Sequence, residues 1–66
     1  MSIWQISVIE EKKELDARLA KLLDFIRSEE FGNIRISDGT LLMRQSAVME
    51  LYSEILDERI KTFKTE

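Results

Sequence analysis

An all-α fold is predicted for this 66-residue chain: an antiparallel two-helix hairpin that assembles into a helical homo-oligomer. Three observations lead there. Pro is absent and the two Gly stand only at positions 32 and 39, so the chain has one break with long uninterrupted stretches on either side. Apolar residues on both sides of that break recur at helical spacing. The second stretch also carries more apolar surface than one partner helix can cover.

The first helix is expected over about residues 3–30. Val8, Leu15, Leu19, Leu22 and Ile26 step by 7, 4, 3 and 4, which is one helical stripe. Glu10, Glu11, Lys12, Lys13, Glu14 and Asp16 are assigned to the opposite, solvated side. The connection, about residues 31–37, holds Gly32-Asn33, a pair suited to the left-handed residue that ends many helices. Ile34 and Ile36 are expected to pack this loop onto the hairpin, since so short an alternation does not support a strand.

The second helix is expected over about residues 38–63. Ser37 is the predicted N-cap, Asp38 complements the positive helix end, and Gly39 weakens the first turn. Two adjacent stripes run along this helix at seven-residue spacing: Leu41, Val48, Ile55 and Leu42, Met49, Leu56, Phe63. Ala47, Tyr52 and Ile60 widen them. A hairpin covers one stripe, so the other is expected to meet further copies. The chain reads as a single domain, 1–66, with a frayed end at residues 64–66.

Size and composition reinforce the oligomer. A chain this short buries only about 60% of the surface its unfolded form exposes, and with no Cys or His it has neither disulfides nor the common zinc ligands as reinforcement. The same absences exclude Ser-His-Asp and Cys-His nucleophiles and leave any catalysis to carboxylates, Lys or Tyr; nothing in the sequence recommends such an enzyme, and no catalytic residue, metal site or cofactor is expected. A formal charge of -3 argues against polymeric nucleic acid and anionic membranes, while leaving room for a small anionic ligand. No run of 18 apolar residues occurs, and the opening MSIWQISVIEEKKE lacks the pattern of a signal peptide. A soluble protein of a reducing cytosol is the expectation.

Five residues are candidates for ligand contact. Trp4 is either a hydrophobic plug against a neighbouring helix or a flat platform for a nucleobase. The five Arg, at positions 18, 27, 35, 44 and 59, are spread along the chain, and pairs such as Glu14 with Arg18 each contribute only about 0.2–0.5 kcal/mol. Arg18 stands out because it borders the Leu15/Leu19/Leu22 stripe and could grip phosphate oxygens with its planar fork. Lys21 lies one turn on. Gln45 could hydrogen-bond a polar ligand edge or pair across an interface, and Tyr52 reads either as a core aromatic with its hydroxyl at the rim or as a further ligand contact.

Several fragments in this order resemble one family. They are Glu11-Lys12-Lys13-Glu14-Leu15-Asp16, Phe25-Ile26-Arg27-Ser28-Glu29-Glu30-Phe31, Leu41-Leu42 with Gln45, and Met49-Glu50-Leu51-Tyr52-Ser53-Glu54-Ile55-Leu56 followed by Arg59-Ile60. Over roughly residues 4–60 the chain is similar to the helical-hairpin sponges of bacteriophages that counter CBASS and Thoeris defence, and its length is closer to the anti-CBASS members. The resemblance implies a protein of the host bacterial cytoplasm that binds cyclic dinucleotides such as cyclic GMP-AMP without cleaving them. It also implies a homohexamer with dinucleotide pockets between paired protomers and trinucleotide pockets where three meet. Trp4 would hold the place of the base-stacking aromatic, and Arg18, or one turn on Lys21, that of the phosphate-binding residue. Gly39-Thr40 departs from the family's more acidic helix start, which bears on the trinucleotide site more than on the dinucleotide one. The competing expectation is a small phage module that inhibits a host protein through its exposed apolar stripe.

Overall fold

Ser2 and Gln5 set the start of the first helix. In the computed structural model, which describes residues 1–63, they form a capping box in which the Ser2 backbone N–H donates to Gln5 Oε1 at 2.9 Å. Helix α1 then runs over Ile3–Ile26 and helix α2 over Ile36–Thr62, with a 3-10 turn, Glu29–Asn33, between them. The helices lie antiparallel in a rod of 49 × 14 × 14 Å.

Each helix turns a heptad stripe inward. On α1 the sequence Gln5, Val8, Lys12, Leu15, Leu19, Leu22, Ile26 steps by 3 and 4, and every member is buried or half-buried. On α2 the matching series is Gly39, Leu42, Ser46, Met49, Ser53, Leu56, Ile60, with Phe63 continuing it at the helix end. Small residues at 39, 46 and 53 alternate with large ones at 42, 49 and 56, so large side chains of one helix fit over small positions of the other. Among the described apolar residues beyond Gly, only Val8 and Leu56 are buried, and of these Leu56 alone is fully enclosed. So thin a core is what two helices can provide.

Several expectations need correction. Helix α1 ends at Ile26 rather than near residue 30, because Ser28 turns extended and its hydroxyl donates to the Phe25 carbonyl at 2.6 Å, competing with the helical ladder. The reversal lets the rings of Phe25 and Phe31 meet edge-to-face, with centroids 6.2 Å apart. Gly32-Asn33 supplies no left-handed residue, since no described residue has a positive φ. The connection therefore spans residues 27–35 instead of 31–37.

Helix α2 begins earlier than predicted, at Ile36, with Arg35 rather than Ser37 at the N-cap. Arg35 Nε pairs with Asp38 Oδ2 at 3.0 Å, and the Gly39 N–H donates to the Arg35 carbonyl, closing the first turn. Ile36 does not pack the loop; it is 89% exposed on the first turn of α2, whereas Ile34 is half-buried. Gly39 is more than a weak point in the turn. The Phe31 ring end lies 3.2 Å from where a Cβ would stand there, so the absent side chain is what lets the turn close over the helix. The expected fraying of residues 64–66 lies outside the described residues.

Candidate functional site

Two cross-helix contacts define the two flanks of the hairpin. On one, Trp4 in the first turn of α1 meets Phe63 at the end of α2, edge-to-face with centroids 5.2 Å apart. On the other, Lys12 Nζ donates to Ser53 Oγ at 2.8 Å and pairs with Asp16 Oδ2 at 2.9 Å, while the Ser53 hydroxyl donates to Asp16 Oδ1. Lys12 and Asp16 are thus not on the solvated back of α1, as the charge pattern suggests. Lys12 occupies the inner stripe, between Val8 and Leu15, and its ammonium reaches the opening between the helices. The Ser53 hydroxyl first, and the Lys12 ammonium second, hold the Asp16 carboxyl below its ordinary value.

The heptad register gathers four of the five candidate ligand residues on one of these flanks. Trp4 and Arg18 each directly precede an inner residue of α1, Gln5 and Leu19, and Gln45 and Tyr52 each precede one of α2, Ser46 and Ser53. In an antiparallel pair these positions share one flank. It is the flank of Trp4 and Phe63. Because Asp16 lies level with Ser53 and Trp4 with Phe63, Arg18 falls level with the stretch between Gln45 and Tyr52. Trp4 stands apart from that group, fourteen residues and about 21 Å along the helix from Arg18. Lys21 does not join it: its neighbours one turn away are Ala17, Arg18, Asp24 and Phe25, none of them on the inner stripe.

The side chains themselves are open to solvent. Trp4 is 52% and Tyr52 41% exposed, so Tyr52 is not the core aromatic that its apolar neighbourhood suggests. Arg18 forms no ion pair with Glu14; the pairs among the described residues are Lys12–Asp16, Arg35–Asp38 and Asp57–Lys61. Gln45 donates weakly to Met49 Sδ at 3.8 Å. Together with Leu41, Arg44 and Val48 these two residues line a shallow groove of about 530 Å³ that runs from the inner edge of α2 onto its outer side. Arg44 is the functional candidate that sequence reading passed over, although its place midway between Leu41 and Val48 was visible in the spacing.

A second hollow, about 300 Å³, lies at the turn between Phe31, Ile34, Arg35, Gly39 and Met43. Its Arg35 is already engaged with Asp38, and its walls are mainly apolar. Neither hollow encloses a ligand. An anion could be held along the Arg18 flank or at Arg44, but only if a second surface closed over it. Among the described residues no cluster of acidic side chains converges to hold a metal ion, and no helix is long and apolar enough to cross a membrane.

Comparison with known proteins adds one positive finding. Neither a curated protein nor a solved structure matches the chain. The Sequestin family matches it over residues 2–62, which takes in both helices and the whole connection. On that match the hairpin, from its capping box to the last turn of α2, belongs to the Sequestin family.

Proposed function

We propose that this protein is a bacteriophage sponge that takes up cyclic dinucleotides, cyclic GMP-AMP among them, and holds them intact in the host bacterial cytoplasm, blocking CBASS signalling. The ligand would sit between copies of a homohexamer. Membership of a family named for sequestration supports binding without turnover. The observation that carries the reading is the open flank on which Arg18 falls level with the stretch between Gln45 and Tyr52, beside an α2 face that one hairpin leaves uncovered. Arg18 supplies a fork for phosphate, Tyr52 beside it and Trp4 of a neighbouring copy supply stacking faces, and Gln45 supplies both a donor and an acceptor for a base edge. A two-fold axis would present the same groups to both halves of a cyclic dinucleotide.

Calorimetry with cyclic GMP-AMP tests binding, and denaturing the loaded protein tests sequestration. Stoichiometric uptake followed by recovery of intact ligand is the expected result. Absence of heat at micromolar protein, or release of linear products, refutes the proposal. The exposed α2 face also favours a second reading, a module that docks on a host protein. Light scattering separates the two, because a monomer in solution supports the docking module and removes the interfacial pocket.

A further inference from the structure

The outer side of α2 repeats the pattern of its inner side. Leu41, Arg44, Val48, Leu51, Ile55 and Glu58 step by 3, 4, 3, 4 and 3, which is a second heptad seam on the back of the same helix. All six are exposed, with Leu41 and Leu51 each at 57% and Val48 at 66%. Polar Ser37 and Thr62 continue the spacing at either end and bound the apolar stretch. The seam carries one cation near its start and one anion near its finish, and neither Arg44 nor Glu58 takes part in the ion pairs formed among the described residues.

That charge placement selects both the occupant and its direction. A parallel copy would set Arg44 against Arg44 and Glu58 against Glu58, which is unfavourable across a closing apolar surface. An antiparallel copy about a two-fold axis between Val48 and Leu51 sets Val48 against the partner's Leu51, and brings Arg44 within one turn of the partner's Glu58, twice over. We infer that the back of α2 is a two-fold seam for a second copy of this chain, packed antiparallel, with Arg44 and Glu58 as its reciprocal end pairs. The inference deepens the oligomer invoked above and rests on that reading. It also has a consequence for the ligand site: Gln45 and Tyr52 border this seam, so the Arg18 flanks of the two copies come to lie on either side of one axis.

The chain has no Cys, so single-cysteine variants report the arrangement directly. Under mild oxidation Leu51→Cys should crosslink to its own copy in high yield. Leu41→Cys should not, because the two positions would be about 25 Å apart along the paired helices, far beyond disulfide reach. Equal crosslinking of both variants indicates a parallel seam and overturns the inference. Val48→Glu, with helicity followed by circular dichroism, should reduce the mass measured by light scattering while the helices persist. Unchanged mass in that variant places the interface elsewhere and overturns the seam, yet leaves an oligomeric sponge standing. Arg44→Glu and Glu58→Arg should each weaken association at least several-fold, and the double swap should restore it; failure of the double swap to recover association also overturns the pairing. Cyclic GMP-AMP calorimetry on the Leu51→Cys crosslinked dimer separates the two readings, since crosslinking without ligand uptake supports the seam and counts only against the sponge.

Discussion

Gly39 and Phe31 provide the sharpest test of how the turn closes. In an exposed helix, replacing Gly by Ala gains up to about 1 kcal/mol, because Gly loses more backbone entropy on folding. At position 39 the new methyl would stand 3.2 Å from the tip of the Phe31 ring, inside the roughly 3.5–4.0 Å at which carbon atoms attract. The ring would have to retreat, and its edge-to-face contact with Phe25, worth about 0.5–1.5 kcal/mol, would loosen with it. These terms nearly cancel the gain, so Gly39→Ala alone should alter stability by less than about 0.5 kcal/mol or lower it. In a Phe31→Ala background the obstruction is gone, and the same substitution should stabilise by about 1 kcal/mol, a rise in Tm of roughly 4–8 °C. Thermal or urea unfolding of the four proteins at one fixed concentration measures the coupling, since association would otherwise shift the midpoints. Equal stabilisation by about 1 kcal/mol in both backgrounds would refute the claim that Gly39 is a seat for Phe31.

Three further outcomes are expected. Leu56, fully enclosed between the helices, should cost about 2–5 kcal/mol when replaced by Ala, enough to abolish cooperative unfolding in so small a chain; a midpoint close to wild type would contradict the core assignment. The Asp16 carboxyl is depressed below 3.8 in the folded protein, so its contribution is present at neutral pH and lost as pH falls through that lower value. Being half-exposed, the cluster should contribute less than about 1 kcal/mol, and Ser53→Ala should move the Asp16 titration upward in a carboxyl NMR experiment; an Asp16 that titrates normally in the wild type contradicts the cluster. Trp4→Ala and Arg18→Ala should each weaken cyclic dinucleotide binding without dissociating the assembly, while Lys21→Ala leaves it intact. Loss of binding in Lys21→Ala alone would show that the phosphate contact lies on the outer face of α1.

Much of the fold is legible from the placement of apolar residues. Val8, Leu15, Leu19, Leu22 and Ile26 identify the inner face of α1, whereas α2 offers two stripes, of which the fold turns Leu42, Met49, Leu56 and Phe63 inward. The polar members of the stripes were harder to read. Lys12, Ser46 and Ser53 occupy inner positions that residue type alone assigns to solvent, yet their spacing of 3 or 4 from apolar neighbours marks them as inward. Lys12 is tolerated there because its stem packs while its head finds Ser53 and Asp16. Helix ends were the least legible. Ser37 has the chemistry of an N-cap, but the Arg35–Asp38 pair and the seat of Phe31 on Gly39 draw the helix start forward to Ile36.

The candidate site divides along the same line. Residue types point to Trp4, Arg18, Lys21, Gln45 and Tyr52, but only the antiparallel register shows that Arg18 falls level with the stretch between Gln45 and Tyr52 and that Lys21 turns away. The sequence by itself determined two amphipathic helices, one break between them and a surplus apolar stripe on the second, because these follow from local periodicity and from the positions of Gly. Tertiary structure decided where the helices stop, which flank each polar side chain occupies and which α2 stripe faces inward. Those outcomes depend on contacts between residues far apart in the chain, Trp4 with Phe63, Asp16 with Ser53 and Phe31 with Gly39, whose energies no local window contains.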